Sequence, residues 1–68
     1  MNDRKERILG SALELFANQG YNATATIKIA RHADVSEGLI FKHFGNKRGL
    51  LDAILLEAQY RAEKLIQP

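Results

Sequence analysis

Residues 26–44 read TIKIARHADVSEGLIFKHF, and their spacing predicts two short helices joined by a tight turn. The first is predicted over Thr26–Ala33, where the small residues Ala30 and Ala33 allow another helix to approach closely. The turn ends in a serine, which is a strong N-cap for a second helix over Glu37–Phe44. This layout is typical of a helix-turn-helix.

A longer amphipathic segment precedes this pair of helices. Its apolar residues recur three or four positions apart and predict a helix over Asp3–Gln19. We expect Gly20 to end that helix, because glycine adopts the left-handed conformation without steric cost. A loop over residues 21–25 then leads to the next helix, which either Thr24 or Thr26 is suited to cap.

The last predicted helix covers residues 47–67, with Gly45 ending the helix before it and Asn46 acting as its N-cap. At about 1.5 Å per residue this helix is about 30 Å long, so its far half offers more apolar surface than a small bundle covers. We expect its apolar face to consist of Leu51, Leu55, Ala58, Ala62 and Leu65, with Leu50 and Ile54 widening the stripe.

The predicted fold class is all-α, because no segment alternates between apolar and polar residues with a period of two. We predict a three-helix bundle with a helix-turn-helix in its second and third helices, plus a long fourth helix. Residues 1–68 are interpreted as one domain of a longer protein, since the far half of the last helix needs further protein to cover it. The core is expected to contain Phe16, Ile29, Val35, Ile40, Phe44, Leu51 and Ile54.

The composition excludes several classes of protein. Apolar residues make up 46% of the 68 residues and charged residues 26%, which is ordinary for a globular domain. The absence of cysteine excludes a disulfide framework, a cysteine-ligated zinc finger and a thiol nucleophile. No apolar run approaches the roughly 18 residues that span a bilayer, and no signal peptide is visible. We therefore expect a cytoplasmic protein without a membrane partner.

Positive charge is concentrated around the predicted helix-turn-helix. The whole chain carries a formal charge of +2, whereas residues 28–48 hold five basic side chains against two acidic ones. A local basic patch is typical of a surface that binds an anionic partner such as nucleic acid. Charge alone leaves a second interpretation open, in which the same residues form a solvated face.

The predicted third helix and its flank carry residues that suit the major groove of DNA. Gly38 is a small residue at the point of closest approach, and Leu39 can contact a thymine methyl group. Lys42, His43 and Lys47 follow at positions from which they can bind phosphates. Helical hairpins unrelated to nucleic acid share this spacing, so the spacing by itself leaves the function open.

Three runs of residues carry a family resemblance. They are GYNAT at 20–24, ADVSEGLIFKHF at 33–44 and NKRGLL at 46–51, and they closely resemble the DNA-binding domain of the tetracycline-repressor (TetR) family. The likeness covers about residues 4–56, and residues 35–51 are its most specific part. It implies a bacterial transcriptional regulator, usually a repressor, that binds double-stranded DNA.

The resemblance also implies features that lie beyond this chain. Proteins of this family are mostly homodimers, and two recognition helices enter a palindromic operator about 34–36 Å apart. A larger C-terminal domain, absent from these 68 residues, forms the dimer and binds a small-molecule effector. Effector binding shifts the fourth helix and lowers the affinity for the operator.

Positions that match the family's motif give a set of candidate DNA contacts. The resemblance implies that the threonines at the start of the second helix bind phosphate and that residues 36–39 read the bases. It further implies that residues 41–43 touch the backbone or bases and that Lys47 holds a phosphate. The candidate DNA-binding residues are Thr24, Thr26, Lys28, Ser36, Glu37, Gly38, Leu39, Phe41, Lys42, His43 and Lys47.

The chain departs from the family pattern within this region. Asp34 stands where glycine is usual, and we expect the turn to persist because aspartate tolerates the left-handed region. Phe41 replaces the usual tyrosine and removes a hydrogen bond to phosphate worth about 1 kcal/mol. Glu37 places an anion in the base-reading turn, where it either accepts a hydrogen bond from cytosine N4 or turns away.

Two other classes of function compete with DNA binding. A protein-interaction or dimerisation module that docks through the fourth helix fits the apolar stripe from Leu51 to Leu65. An enzyme does not fit, because the sequence has no Ser-His-Asp arrangement, no cluster of metal ligands and no glycine-rich phosphate loop. No cofactor or metal is predicted. We expect His32 to be a surface residue without a role, and Tyr21 to pack on the bundle with its hydroxyl in water.

Overall fold

The computed structural model describes residues 3–66 and contains four α-helices. They are α1 over Asp3–Gln19, α2 over Thr26–Ala33, α3 over Glu37–Phe44 and α4 over Lys47–Ile66. No strand occurs within residues 3–66, and the predicted all-α fold is confirmed. The predicted end of the last helix at Gln67 lies outside the described residues.

The four helices share one apolar core. Helix α1 packs against α2 and α4, and α3 packs against the same two helices. The core consists of Ile8, Ala12, Leu15, Ile29, Ala30, Ala33, Ile40, Leu50 and Ile54. Half-buried side chains surround it, namely Leu9, Phe16, Val35, Leu39 and Phe44. Burial of each Leu or Ile side chain in this core stabilises the fold by about 1.5–3 kcal/mol. The core contacts α2 and α3 from one side only, so their outer faces are exposed.

Residues with positive φ end each of the first three helices. Gly20 (φ 92°) follows α1 and Gly45 (φ 83°) follows α3. Asp34 (φ 58°, ψ 49°) follows α2, and its backbone N–H donates to the carbonyl oxygens of Ala30 and Arg31. Aspartate is one of the few residues other than glycine that adopt this conformation readily. The prediction that the turn persists with aspartate in place of glycine is therefore confirmed.

Polar side chains cap the last two helices as predicted. The hydroxyl oxygen of Ser36 accepts a 3.1 Å hydrogen bond from the backbone N–H of Leu39, at the start of α3. The Oδ1 atom of Asn46 accepts a 2.7 Å hydrogen bond from the backbone N–H of Gly49, at the start of α4. The predicted threonine cap of α2 is wrong, because the N-cap residue is Ala25 and no side chain accepts a hydrogen bond there.

The buried face of α4 differs from the predicted one. Leu50 is fully buried and Ile54 is 9% exposed, whereas Leu55 is 56% exposed and Leu65 is 87% exposed. Leu51, predicted to be a core residue, is half-buried. Apolar residues are spread almost evenly around α4, so their spacing does not select one face. The buried face of α4 is instead determined by the packing of α1 and α3 against the first half of this helix.

Gly49 lies where α4 passes closest to the end of α3. A Cβ atom added at Gly49 would lie 2.0 Å from the carbonyl oxygen of Phe44, far inside van der Waals contact. The backbone of α4 therefore approaches α3 more closely than any residue with a side chain permits. This approach fixes the start of α4 beside α3.

Candidate nucleic-acid interface

The first turn of α3 is an exposed surface with an unobstructed backbone. Ser36 and Gly38 are both exposed. A Cβ atom added at Gly38 would meet only the hydroxyl oxygen of Ser36, at 3.9 Å, which is an ordinary contact distance. Nothing in the part of the chain that the structure describes requires glycine at this position. The backbone at Gly38 is therefore open to the close approach of a partner.

The remaining apolar and aromatic candidates on α3 differ in exposure. Phe41 is 42% exposed, so a large part of its ring is available to a partner. Leu39 is half-buried and packs against the core, so only part of its side chain can reach a thymine methyl group. His43 is also half-buried, and its ring centroid lies 6.0 Å from that of Phe44.

Two of the candidate DNA-binding residues bind each other. The hydroxyl group of Thr26, in the first turn of α2, donates a 2.6 Å hydrogen bond to the Oε2 atom of Glu37 in the first turn of α3. A hydrogen bond to an ionised carboxylate is stronger than one between neutral groups. Of the two orientations left open for Glu37, this contact favours the one in which its carboxylate turns away from the bases.

Thr24 does not present its side chain to a partner. It is 1% exposed, and its hydroxyl group donates to the carbonyl oxygen of Gly20 at 2.7 Å, with the carbonyl oxygen of Leu15 at 3.3 Å. The Thr24 side chain is therefore not available to a phosphate, and a contact of Thr24 with DNA through its backbone stays a prediction. Its hydrogen bonds instead tie the loop before α2 to the end of α1, which satisfies a buried polar group.

Three lysines surround the helix-turn-helix from different helices. Lys28 is exposed on α2, Lys42 is exposed on α3, and Lys47 is half-buried at the first position of α4. Within residues 3–66, none of the ion pairs involves these three ammonium groups. Their charges are therefore not neutralised by a carboxylate of the described chain. The Nζ atom of Lys47 lies 4.3 Å from the ring centroid of Tyr21.

His32 has a structural role that the sequence did not indicate. Its Nδ1 atom lies 2.9 Å from the hydroxyl oxygen of Ser11, and its Nε2 atom lies 3.5 Å from the Oε2 atom of Glu14. Ser11 is buried on α1, so its hydroxyl group needs a partner. His32 supplies one and links α2 to α1. The only signal in the sequence is that Ser11 and Glu14 lie three residues apart and so share one face of α1.

The fold and this surface together define a helix-turn-helix protein, in which a small helical bundle exposes the start of its second short helix beside a set of lysines. Residues 8–54 match the family described as bacterial regulatory proteins of the tetR family. The matched region contains α2 and α3 completely and covers most of the chain. The chain belongs to this family, as the resemblance in its sequence predicted.

Curated relatives agree with this assignment. The chain is 47% identical over 55 residues to the HTH-type transcriptional regulator YvkB of Bacillus subtilis, a match that covers 81% of the chain and 29% of the relative. It is 43% identical over 51 residues to the HTH-type transcriptional regulator HbdR of an Aromatoleum species, covering 75% of the chain and 22% of the relative. It is 45% identical over 51 residues to QacR of Staphylococcus aureus, covering 75% of the chain and 27% of that HTH-type transcriptional regulator.

The chain matches less than a third of the length of each of these relatives. All three are named as transcriptional regulators and none as an enzyme, which agrees with the prediction that this family member is not an enzyme. No solved structure matches the chain.

The described residues contain neither a membrane-spanning helix nor a cluster of metal ligands. None of the helices between residues 3 and 66 combines the length and the apolar character that crossing a bilayer requires. Within the same residues, histidine and carboxylate side chains form no cluster of three or more that could hold a metal ion.

Proposed function

We propose that this chain is the DNA-binding domain of a bacterial transcriptional regulator and that α3 is its recognition helix. The first turn of α3 carries the proposal, because Gly38 is exposed there and no contact within the described residues requires a glycine. In helix-turn-helix proteins the N-terminal residues of the recognition helix contact base edges in the major groove. A glycine at this point lets the helix backbone approach the bases closely.

Phosphate contacts around this turn come from three helices. Lys28 on α2, Lys42 on α3 and Lys47 on α4 carry the charge, and His43 adds a polar group. Thr26 contributes the backbone N–H at the first position of α2, because its one O–H donates to Glu37. Contacts to phosphate fix the orientation of a protein on the duplex but carry no sequence information directly. The exposed ring of Phe41 packs against the sugar-phosphate backbone, where it lacks the hydroxyl group that a tyrosine would contribute.

Base contacts come from residues 36–39. The oxygen of Ser36 accepts the capping hydrogen bond of α3, which leaves its O–H group able to donate to a base. Leu39 offers the exposed part of its side chain to a thymine methyl group. Glu37 is held by Thr26, so its carboxylate is turned away from the bases and does not read a cytosine.

The complete regulator extends beyond these residues. We infer that it is a cytoplasmic homodimer, that a C-terminal domain forms the dimer and binds a small-molecule effector, and that the dimer binds a palindromic operator. We further infer that it acts as a repressor and that effector binding releases it through a shift of α4. The relatives' greater length and the exposed apolar residues on the outer half of α4, Leu55, Leu56, Tyr60 and Leu65, support this proposal.

The same exposed residues support a second candidate function. A helical interaction or dimerisation module would dock through the outer half of α4, where Leu56 is 70% exposed and Tyr60 is 59% exposed. This function is compatible with DNA binding if the partner is another part of the same protein. It becomes a rival only if the helix-turn-helix does not bind DNA.

Binding to duplex DNA at two salt concentrations tests the proposal. The probe is a fluorescein-labelled duplex of mixed sequence, titrated with the chain at about 50 and 200 mM salt. Lys42→Ala and Lys47→Ala are each expected to weaken binding, while circular dichroism shows unchanged helix content. Each should also reduce by about 1 the steepness with which the logarithm of the affinity falls with the logarithm of the salt concentration, called the salt slope below. Lys64→Ala on the outer half of α4 is the matched control. Equal affinity and slope in all four proteins would contradict the proposal.

A further inference from the structure

Lys47 lies over the face of an aromatic ring that comes from a distant part of the chain. Its Nζ atom is 4.3 Å from the ring centroid of Tyr21, which lies in the loop between α1 and α2. An ammonium group within about 6 Å of a ring centroid is attracted by the negative charge on the ring face. The fold thus brings the loop before α2 and the first residue of α4 into direct contact.

The ring of Tyr21 is itself held in place. Its centroid lies 5.1 Å from that of Phe16 on α1, with the ring planes inclined at 60°. Aromatic pairs favour tilted arrangements at this separation. Phe16 in turn packs against the core. These contacts, from the core through Phe16 to Tyr21, hold the ring in place as a rigid platform for the ammonium group of Lys47.

We propose that Tyr21 is a positioning residue for DNA binding, whose ring holds the ammonium group of Lys47 in the place where it meets a backbone phosphate. This inference rests on the proposed function, because it takes Lys47 to bind phosphate. A lysine side chain has several rotatable bonds and loses their freedom when it binds. The Tyr21 ring restricts Lys47 before DNA arrives, so less freedom is lost on binding.

The platform does not compete with the phosphate. An ammonium group carries three N–H donors, and the ring face occupies one side of the group. The N–H donors that point away from the ring remain able to bind a phosphate oxygen. The attraction comes from the ring face rather than from the hydroxyl group, so phenylalanine at position 21 preserves the effect and leucine, of similar apolar character, removes it.

A double-mutant cycle on DNA binding tests the role of Tyr21. The variants are Tyr21→Leu, Lys47→Gln and the two combined, with the mixed-sequence duplex as the probe at several salt concentrations. Tyr21→Leu is expected to weaken binding about two- to fivefold and to lower the salt slope, whereas in the Lys47→Gln background it changes neither. Additive effects of the two substitutions would overturn the proposal, because Tyr21 would then act independently of Lys47.

Two further variants separate positioning from other roles. Tyr21→Phe is expected to keep the affinity and the slope, and a loss equal to that of Tyr21→Leu would show instead that the hydroxyl group contacts DNA. Tyr60→Leu is the matched control, since Lys64 lies 5.4 Å from the Tyr60 ring on the outer half of α4. Its DNA affinity is expected to equal that of the unsubstituted chain. A loss in the control as large as in Tyr21→Leu would overturn the proposal.

The design also distinguishes failure of this inference from failure of the proposed function. If Lys42→Gln lowers the salt slope and Lys47→Gln does not, DNA binding stands and the positioning role of Tyr21 is overturned. If neither lowers it, the proposed function fails as well.

A measurement by NMR on the unsubstituted chain tests the contact between Tyr21 and Lys47 even if a Tyr21 variant does not fold. The side-chain protons of Lys47 nearest the ring should show an upfield ring-current shift by NMR, and unshifted protons would overturn the proposal.

Discussion

The hydroxyl group of Thr26 donates a 2.6 Å hydrogen bond to the carboxylate of Glu37, and this contact joins the first turns of α2 and α3. The carboxylate lies at the N-terminus of α3, where the helix dipole favours a negative charge. The same end of the helix is the part we propose to enter the major groove. The chain thus carries a fixed anion on the surface that we propose to face the phosphates of DNA.

Neutralising this anion is expected to raise the affinity for DNA. Glu37→Gln keeps an oxygen that accepts from Thr26 but removes the charge. A unit charge about 8 Å from a phosphate in water contributes about 0.5 kcal/mol, so binding to the mixed-sequence duplex should strengthen about two- to threefold at low salt. Glu63→Gln on α4 is the control and should have no effect. Weaker binding of Glu37→Gln would show that the carboxylate makes a favourable contact.

Gly38 is expected to matter for DNA binding but not for folding. Gly38→Ala should leave the free energy of unfolding unchanged or raise it by up to about 1 kcal/mol, because alanine is the better helix former. The added methyl group should cost about 1–3 kcal/mol in DNA binding, as overpacking of a close contact does. Gly10→Ala on α1 is the matched control, because its Cβ would meet nothing within 4 Å. It should raise stability without a change in DNA affinity.

Gly49 is expected to matter for folding. Gly49→Ala places a Cβ atom 2.0 Å from the carbonyl oxygen of Phe44, so α3 and α4 must separate. We expect the free energy of unfolding to fall by about 1–3 kcal/mol in urea denaturation followed by circular dichroism. The contrast with Gly10→Ala, which should stabilise by about 0.5–1 kcal/mol, is the critical comparison. Equal stability of the two variants would contradict the close approach of α4 to α3.

The contact between Ser11 and His32 is expected to contribute to stability. Removing it with Ser11→Ala, His32→Leu and the double substitution should give a coupling free energy of about 0.5–1.5 kcal/mol by urea denaturation. Glu14→Gln should cost less than about 1 kcal/mol, because the contact between Glu14 and His32 is exposed. A coupling free energy near zero would mean that the 2.9 Å contact does not persist in solution.

Local signals explain why most helix boundaries were predictable. Gly20, Asp34 and Gly45 adopt positive φ, and Ser36 and Asn46 cap helices through their own side chains. Each of these features acts over a few residues, so it can be read from the sequence. The start of α2 at Thr26 was also predicted, although its predicted threonine cap was wrong, because Ala25 is the N-cap residue and no side chain accepts a hydrogen bond there.

Contacts between distant residues explain what was not predictable. Thr24 turns towards Gly20 and the buried side of the loop, although its neighbours in sequence are exposed. The buried face of α4 is centred on Leu50 rather than Leu51 because α1 and α3 decide which side of an evenly apolar helix is covered. The pairing of Tyr21 with Lys47 likewise depends on the final packing of the bundle. Periodicity and spacing carry no information on such choices.

Mapping of the DNA-contacting surface by NMR tests the central claim most directly. The isotope-labelled chain is titrated with the mixed-sequence duplex, and the change in each backbone amide shift is measured. We predict the largest changes at Thr26, residues 36–39, Lys42 and Lys47. Changes centred on Leu55, Leu56 and Tyr60 of α4, or no changes at an excess of duplex, would contradict the claim that α3 binds DNA.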